Sequence, residues 1–477
     1  MLDKPSPTDE QLDILSAVSL SSANIMIEAL AGTGKTSTLE MLATHLPRTA
    51  PILYLVFNKK NADEAVARMP STVVVRTFNS MGHRIWSSTI GRSLKLDARK
   101  DGTILRAIID EAPANQRSTI WTVFSAVTQG TALAKAVGYL PDGTYPGIVP
   151  LVTQGTFHSL LEEAPDDLTS DLIDAVLTRS IKQAFDGLVD FNDQIYMPAL
   201  FRATFPSYSI ILVDEYQDLS PVNHALLSRL VKGRLIGVGD PYQNIYGFRG
   251  AKAGGMSEAI ATYSMDRYPL STSFRCPSAI VKHVHWHVPS FRASKTGGRV
   301  DTPHILPASA VPDGTTIISR NNAPILRAAL NLLGAGRSIS VAGSDIGVRL
   351  VALMKKLGKE DLERSAVLGA IAEWEAEKLA RESKTAIDHA ACMRVFAEHG
   401  EDLGQAIRYA EHLFQQQGTI LLTTIHKAKG LEWENVIHLD PWMVRKQPSS
   451  QNKNLDYVAS TRCSNNLTEI NSEAIQW

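Results

Sequence analysis

Two carboxylates stand side by side at the end of a largely apolar stretch, in LVDEYQD at residues 212–218. The residues before them, SIILV at 209–213, have the β-branched character of a buried strand in a parallel sheet. Asp214 and Glu215 therefore fall at the carboxyl end of a strand, where such sheets carry functional loops. Two acids there can hold a divalent cation and orient a water molecule, provided that the chain supplies a phosphate-binding element. The alternative is an acidic turn in which Asp214 caps the next helix.

A phosphate-binding element is present in ALAGTGKT at residues 29–36, between a predicted strand and a predicted helix. It fits the P-loop pattern, except that alanine replaces the first glycine. Lys35 can reach the β and γ phosphates, while Thr36 and Asp214 can bind Mg²⁺. Glu215 then orients and deprotonates the attacking water. The residues predicted to bind the nucleotide phosphates are Ala31, Gly32, Thr33, Gly34, Lys35 and Thr36.

The composition is that of an ordinary globular protein, with 44% hydrophobic and 20% charged residues. A chain of 477 residues should form about two to four domains, because single cores rarely exceed about 300 residues. No apolar run is long enough to span a bilayer and the amino terminus is polar, so we expect a cytoplasmic protein without a membrane partner. The cysteines, Cys276, Cys392 and Cys463, lack disulfide-framework or zinc-site spacing. The formal net charge of -1 neither indicates nor excludes nucleic-acid binding.

The order of predicted elements is that of two α/β domains, each interrupted by helices. Strands are predicted at residues 24–29, 52–57, 72–76, 209–213 and 234–238, and then at 316–319, 338–341, 419–424 and 435–439. Helical periodicity dominates between these groups, notably at 118–137 and 171–188. The predicted domain boundaries are 1–85 with 201–264, interrupted by the insertion 86–200, and 265–345 with 418–477, interrupted by the insertion 346–417.

Nine blocks in a fixed order make the chain resemble superfamily 1A DNA helicases of the UvrD, Rep and PcrA type. The blocks are PTDEQ (7–11), ALAGTGKT (29–36), LVFNKKNADEA (55–65), RTFNSMG (76–82), LVDEYQD (212–218), GVGDPYQNIYGFRGA (237–251), LSTSFRCP (270–277), TTIHKAKGLEW (423–433) and NLDYVASTR (454–462). The segments FNKKNADEA and GFRGA resemble those of the compact F-box DNA helicase and phage-type branch. The resemblance implies two RecA-like P-loop parallel-sheet domains, each with a helical insertion, and ATP and Mg²⁺ as cofactors.

The resemblance also assigns expected roles around the nucleotide. Gln11 resembles the adenine-reading glutamine, whose amide can donate and accept against a base edge. Gln243 is expected to sense the γ phosphate, and Glu432 to hydrogen-bond the ribose. Arg275 and Arg462 resemble arginine fingers, which neutralise charge that develops on the transferred phosphoryl group.

A further set of residues lies in blocks that contact the nucleic-acid strand in the resembled family. Binding of a single strand without sequence preference requires aromatic platforms and phosphate donors. Core packing is the alternative for each aromatic residue, and phenylalanine at 248 replaces the tryptophan that many relatives carry. The predicted contacts are Phe57, Asn58, Lys59, Phe78, Tyr246, Phe248, Arg249, Thr424 and His426.

A histidine cluster, His283, His285 and His287, invites a metal hypothesis. Neither an acid nor a cysteine accompanies it at ligand spacing, so the sequence favours a helical surface over a metal site.

These features predict an ATP-driven motor that moves on single-stranded DNA, with 3′ to 5′ polarity implied by the resemblance. Single-strand/double-strand junctions are the expected substrates, and further protein partners are not identified by the sequence. A translocase that strips proteins from DNA with little unwinding is one alternative, and a DNA-binding ATP switch is another. A small-molecule kinase also uses a P-loop, but the paired arginines and strand-contacting blocks argue against it.

Overall fold

The computed structural model describes residues 6–47, 51–247, 254–446 and 449–476. It forms two compact units. The first contains the described residues up to Ala29 and those from Gly34 to Leu270, and the second contains Leu30–Thr33 with the described residues from Ser271 onward. Within these ranges, no helix combines the length and apolar character needed to cross a bilayer.

The first unit is built on a sheet of six parallel strands among its described residues, in the order β3-β2-β6-β7-β1-β8. Its elements are α1 (Asp9–Leu20), β1 (Ile25–Ala29), α2 (Lys35–His45), β2 (Ile52–Val56), α3 (Lys59–Arg68), β3 (Val73–Thr77), α4 (Phe78–Ile90), β4 (Lys95–Leu96), α5 (Lys100–Glu111), α6 (Ala114–Thr122), α7 (Phe124–Val137), α8 (Gln154–Leu160), α9 (Asp167–Phe185), β5 (Leu188–Val189), α10 (Asp193–Leu200), β6 (Tyr208–Val213), α11 (Pro221–Leu230), β7 (Val231–Gly239), α12 (Gly255–Thr262) and β8 (Asp266–Leu270).

Local sequence explains where the central elements begin. All five residues of β2, ILYLV, are buried, as expected for an interior strand of a parallel sheet covered on both faces. The P-loop glycine Gly34 has a φ of 81°, a left-handed conformation that suits glycine, and α2 begins at the next residue. Parallel pairing brings the carboxyl ends of β1, β6 and β7 to one edge of the sheet.

Helices fill the region between β3 and β6, where the sequence predicts helical structure. The predicted helical stretch 118–137 is two helices, because Val123 ends α6 and at the same time precedes the first turn of α7. The stretch predicted at 171–188 begins earlier, since Asp166 caps α9 by accepting from the Thr169 N–H. Gly187, with a φ of 94°, follows the end of that helix.

A buried ion network holds the helical region together. The Lys135 ammonium is fully buried and lies 2.8 Å from Asp101 and 2.5 Å from Asp190. Nearby, Lys100 donates to Asp193 at 2.6 Å and to the Ser180 carbonyl. Burial lowers the pKa of Lys135, but the surrounding aspartates more than offset it and leave the pKa raised. The network therefore joins α5, α7, α9 and the β5–α10 turn through charged groups that water does not reach.

The second unit carries another sheet of six parallel strands among its described residues, in the order β11-β17-β16-β13-β15-β14. Its elements are β9 (Thr272–Pro277), α13 (Ser278–Val284), β10 (Arg292–Lys295), β11 (Arg299–Asp301), β12 (Leu306–Pro307), β13 (Thr316–Ser319), α14 (Asn322–Gly334), β14 (Ile339–Val341), α15 (Ser344–Met354), α16 (Arg364–Ala380), α17 (Ala386–His399), α18 (Leu403–Gln415), β15 (Ile420–Thr424), α19 (Ile425–Ala428), β16 (Trp433–Leu439), α20 (Trp442–Arg445), α21 (Ser450–Ser460), β17 (Cys463–Ile470) and β18 (Ile475–Gln476).

The predicted fold class is confirmed, because both units are α/β with parallel sheets and each has helices between its strands. A continuous apolar core in the second unit joins α14 and β13 to α16, α17 and α18. In the first unit, one core lies between the sheet and the helical region, and a second lies on the opposite face of the sheet.

Replacing Lys135 with methionine should destabilise the first unit by about 3–5 kcal/mol, because it leaves buried carboxylates without their cation. Urea unfolding of the two proteins measures the difference. Lys60→Met is the matched control, since Lys60 and Glu64 form an exposed pair at 4.0 Å. Equal stability of Lys135→Met and the wild type would show that the buried network contributes nothing.

Candidate functional site

The P-loop lysine lies against the acidic strand end in the first unit. Lys35 is the first residue of α2, and its ammonium is 3.0 Å and 3.2 Å from the two carboxylate oxygens of Glu215. Burial lowers the pKa of Lys35, but Glu215, Asp240 and Asp214 more than offset it and leave the pKa raised. The lysine is therefore held as a cation at the edge of the sheet where β6 ends.

Asp214 and Glu215 occupy different environments although they are adjacent. Asp214 accepts from the Tyr54 hydroxyl at 3.1 Å and from the Glu215 N–H at 2.8 Å. Burial, followed by the negative charge of Glu215, raises the pKa of Asp214 to about 6. Glu215 has a φ of 49°, a left-handed conformation that costs a non-glycine residue about 1–3 kcal/mol. The turn directs the Glu215 side chain to Lys35 and Gln217, so the two acids can serve different tasks.

A chain of hydrogen bonds connects Glu215 to the end of the neighbouring strand β7. The side-chain amide of Gln217 donates to Glu215 at 2.7 Å, and the oxygen of the same amide accepts from the Asp240 backbone N–H at 3.0 Å. Asp240 is fully buried and accepts from the Gln243 side chain at 2.7 Å. Gln243 is thus linked to Glu215 through two intermediate residues, Asp240 and Gln217.

Gln11 contacts the P-loop helix from the start of α1. Its carbonyl oxygen accepts from the Thr8 N–H at 3.0 Å within a capping box, and its amide nitrogen donates to the Thr38 hydroxyl at 2.9 Å. Thr38 in turn donates to the carbonyl of Gly34. Thr36, the predicted magnesium ligand, lies exposed in the first turn of α2.

The residues before Gly34 that are predicted to bind phosphate belong to the compact unit that contains the second sheet. Gly32 has a φ of 70°, and Thr33 is buried with its hydroxyl donating to the Leu30 carbonyl at 2.8 Å. Ala31 is 1% exposed. The left-handed glycines at 32 and 34 give the loop the alternating backbone that can present successive N–H groups to an anion.

The predicted arginines of the second unit lie close to Glu432. Arg275 on β9 forms an ion pair with Glu432, which the sequence assigned to a ribose. Arg462 follows α21 and is 1% exposed, and its guanidinium donates to the carbonyls of Val458 and Leu431. The structure therefore gathers Arg275, Glu432 and the backbone partners of Arg462 at one end of this sheet.

Two family models match the chain. The UvrD/REP helicase N-terminal domain matches residues 149–264, which include the acidic strand end and Gln243. The UvrD-like helicase C-terminal domain matches residues 419–468, which include Glu432 and Arg462. The chain therefore matches UvrD-like helicase domains in both of its units.

Curated relatives agree with the family and with the predicted branch. The chain is 24% identical to F-box DNA helicase protein 1 of Schizosaccharomyces pombe, over 86% of this chain and 50% of that protein. It is 26% identical to F-box DNA helicase 1 of Gallus gallus, over 91% of this chain and 45% of that protein. The match to UvrD1 of Mycobacterium tuberculosis is 25% identical and covers 52% of this chain and 35% of that protein. This UvrD-like chain spans about half the length of the F-box helicases it matches.

The predicted strand contacts of the UvrD-like chain differ in exposure. Phe57 follows β2 with 44% of its surface exposed, and Asn58 and Lys59 come next, where Asn58 caps α3. Tyr246 is half-buried. The prediction that Phe78 offers an exposed stacking surface is wrong. Its side chain, at the start of α4, is 2% exposed and packs in the core.

Of the remaining predicted contacts, two lie in the second unit and two lie outside the described residues. Thr424 ends β15 and precedes α19, and His426 lies half-buried in that short helix. Phe248 and Arg249 lie outside the described residues, so their predicted contacts remain predictions.

The three clustered histidines have separate partners. His285 contacts the Phe291 carbonyl at 2.7 Å, and His287 contacts Asn454 at 3.0 Å. His283 contacts Glu469 at 2.9 Å, an acid that is remote in sequence. The structure therefore does not bring the three imidazoles of this cluster onto one centre.

Sequence reasoning missed Tyr54, Gln217 and Asp240, although each contacts a predicted site residue. A detectable signal existed for Tyr54, the one polar-tipped residue in the buried strand ILYLV. For Gln217 and Asp240 the signal was their position inside the blocks LVDEYQD and GVGDPYQ. Their link to one another depends on the parallel pairing of β6 and β7.

Tyr54→Phe should raise the pKa of Asp214 above about 6, because the Tyr54 hydroxyl stabilises the ionised carboxylate. Carbon-13 NMR titration of the Asp214 carboxyl measures the shift. The pKa of Asp214 in the folded protein already exceeds its value in the unfolded chain. The free energy of unfolding therefore falls as pH rises from about 4 to about 6, where Asp214 ionises. Tyr242→Phe is the control, since Tyr242 contacts Asp240 through its backbone N–H. An unchanged pKa in Tyr54→Phe would contradict this account.

Proposed function

We propose that the chain is an ATP-dependent DNA helicase that moves on single-stranded DNA, in the 3′ to 5′ direction, and separates strands at junctions. The observation that carries the proposal is the contact of Lys35 with Glu215, beside buried Asp214, in a chain that matches UvrD helicase domains at both sheets. The F-box relatives carry the name DNA helicase, which supports DNA as the substrate.

The residues fit ATP with Mg²⁺. Gly32 and Gly34 supply the left-handed positions of a phosphate-binding loop, and the Lys35 ammonium meets a carboxylate that a phosphate can replace as its partner. Asp214 would hold Mg²⁺ together with Thr36, and the cation would stabilise a carboxylate that burial destabilises. Bound Mg²⁺ supplies charge neutralisation at the phosphates.

Glu215 is assigned to the attacking water. Its left-handed backbone separates its carboxylate from that of Asp214, and Gln217 holds one of its oxygens at 2.7 Å. Glu215 would orient that water and accept a proton from it. Gln243, linked to Glu215 through Gln217 and Asp240, would report the state of the γ phosphate to the rest of the unit.

Further residues of the two units are proposed to act on the developing charge, on the nucleoside and on the strand. Arg275 and Arg462 are proposed to stabilise the developing phosphoryl charge, which requires Arg275 to exchange Glu432 for phosphate. Gln11 is proposed to read adenine and Glu432 to hold the ribose. Exposed Phe57 offers a stacking face for a base at the end of β2.

Glu215→Gln should lower ATP hydrolysis by about 10² or more while nucleotide binding is retained, because the amide cannot accept the proton. Steady-state hydrolysis is measured with single-stranded DNA of increasing length. In the wild type, stimulation should grow with strand length, and Glu64→Gln, an acid-to-amide change on the surface of α3, should behave like the wild type.

If DNA does not change the rate of ATP hydrolysis, the motor hypothesis is contradicted and the alternative of a DNA-binding ATP switch is favoured. Stimulation that does not change with strand length would point to the same switch. Arrival of the enzyme at a fluorophore on the 5′ end, and not the 3′ end, of the strand tests the proposed polarity.

A further inference from the structure

A buried group of side chains of metal-ligating types lies in the second unit. It consists of His438 on β16, Asp456 on α21 and Glu469 on β17. Each residue offers one ligand atom, and these atoms all lie within 4.8 Å of one another. Two carboxylates and an imidazole thus converge at one place from three elements.

His438 is the unexplained member of this group. Its side chain is fully buried, and neither ring nitrogen has a hydrogen-bond partner among the described residues. A neutral imidazole carries one N–H donor and one acceptor, and both lose water here without replacement. An Asp456 oxygen lies 3.9 Å from Nδ1, too far for a hydrogen bond.

The Arg445 guanidinium is the cation that contacts the two carboxylates. Its guanidinium donates to Asp456 at 3.0 Å and to Glu469 at 2.9 Å. The Arg445 side chain is 35% exposed and lines a surface cavity of about 490 Å³ with His283 and Trp286. The cavity gives this side chain room to move away from the acids, which are themselves nearly inaccessible to water.

We propose that His438, Asp456 and Glu469 bind a divalent transition-metal ion of the Zn²⁺ type, which displaces Arg445. Two carboxylates balance a 2+ charge, whereas Arg445 neutralises one of them. An imidazole ligand selects such metals over Mg²⁺ and Ca²⁺, which prefer oxygen.

The three donor atoms already lie near the spacing that a metal ion requires. Zinc ligands at about 2.0–2.1 Å from the ion lie about 3.4 Å apart, so the three donors need to close by about 1 Å or slightly more. The Nε2 of His283 lies 2.9 Å from a Glu469 oxygen, beside the three donors. The metal thereby satisfies one nitrogen of His438 that the protein leaves without a partner.

The ion would connect elements that lead to the proposed functional groups. His438 is on the strand that follows Glu432, and Asp456 is on the helix that ends just before Arg462. The proposal does not rest on the helicase activity, because it follows from the donor set alone.

The test uses the full chain, freed of metal with a chelator. Titration with Zn²⁺ by calorimetry should give one equivalent bound, and Co²⁺ should give the visible absorption of a tetrahedral site. Arg445→Ala should bind at least tenfold more tightly, because the competing cation is gone. His438→Ala should lose binding, and it removes no hydrogen bond that the fold uses.

His285→Ala is the matched control, since His285 lies two residues from His283 but contacts the Phe291 carbonyl. It should bind Zn²⁺ as the wild type does. The proposal is overturned if the wild type binds no stoichiometric metal, or if His438→Ala binds it undiminished. If Arg445→Ala fails to fold, the comparison of the wild type, His438→Ala and His285→Ala still decides between the outcomes.

Discussion

The contact between Lys35 and Glu215 is the interaction on which the charge balance of the candidate site depends. It joins the start of α2 to the end of β6, two elements that parallel pairing brings to the same sheet edge. Around it lie Asp214 and Asp240, whose pKa values burial raises. Without a cation among them, three neighbouring acids would repel one another in a region of low dielectric constant.

That arrangement explains why adjacent acids are tolerated at the strand end. Asp214 continues the direction of the strand and stays buried beneath Tyr54, while Glu215 turns into a left-handed conformation and meets Lys35. The strain at Glu215 and the burial of Asp214 both oppose folding. Such costs are typical of groups placed for chemistry instead of stability.

The sequence was sufficient for the elements and residues whose evidence is local. Strand Thr316–Ser319 was predicted at its observed bounds. The P-loop pattern led to the expectation that Lys35 and the acidic strand end serve one site, and the two are in contact. Residues that depend on which strands are neighbours were missed, as Gln217 and Asp240 show. Phe78 was misplaced because an aromatic residue in a strand-contacting block can equally fill the core, and only packing decides between the two.

Contacts between side chains that are far apart in the sequence could not be predicted from residue spacing. His283 was judged by its histidine neighbours in sequence, yet its partner Glu469 arrives on the last long strand of the second sheet. His438 carried no signal, because a single histidine in an apolar strand has no pattern to recognise. The fold itself creates this group of residues.

The capping box at the start of α1 constrains the adenine-reading role proposed for Gln11. Gln11 uses its carbonyl oxygen to close the first turn of α1 and its amide nitrogen to hold Thr38 on the P-loop helix. A mutation that altered the purine preference through this side chain would also loosen the beginning of the domain. Selection for a different nucleotide would therefore have to act elsewhere in the pocket, or restore the helix start by a second change.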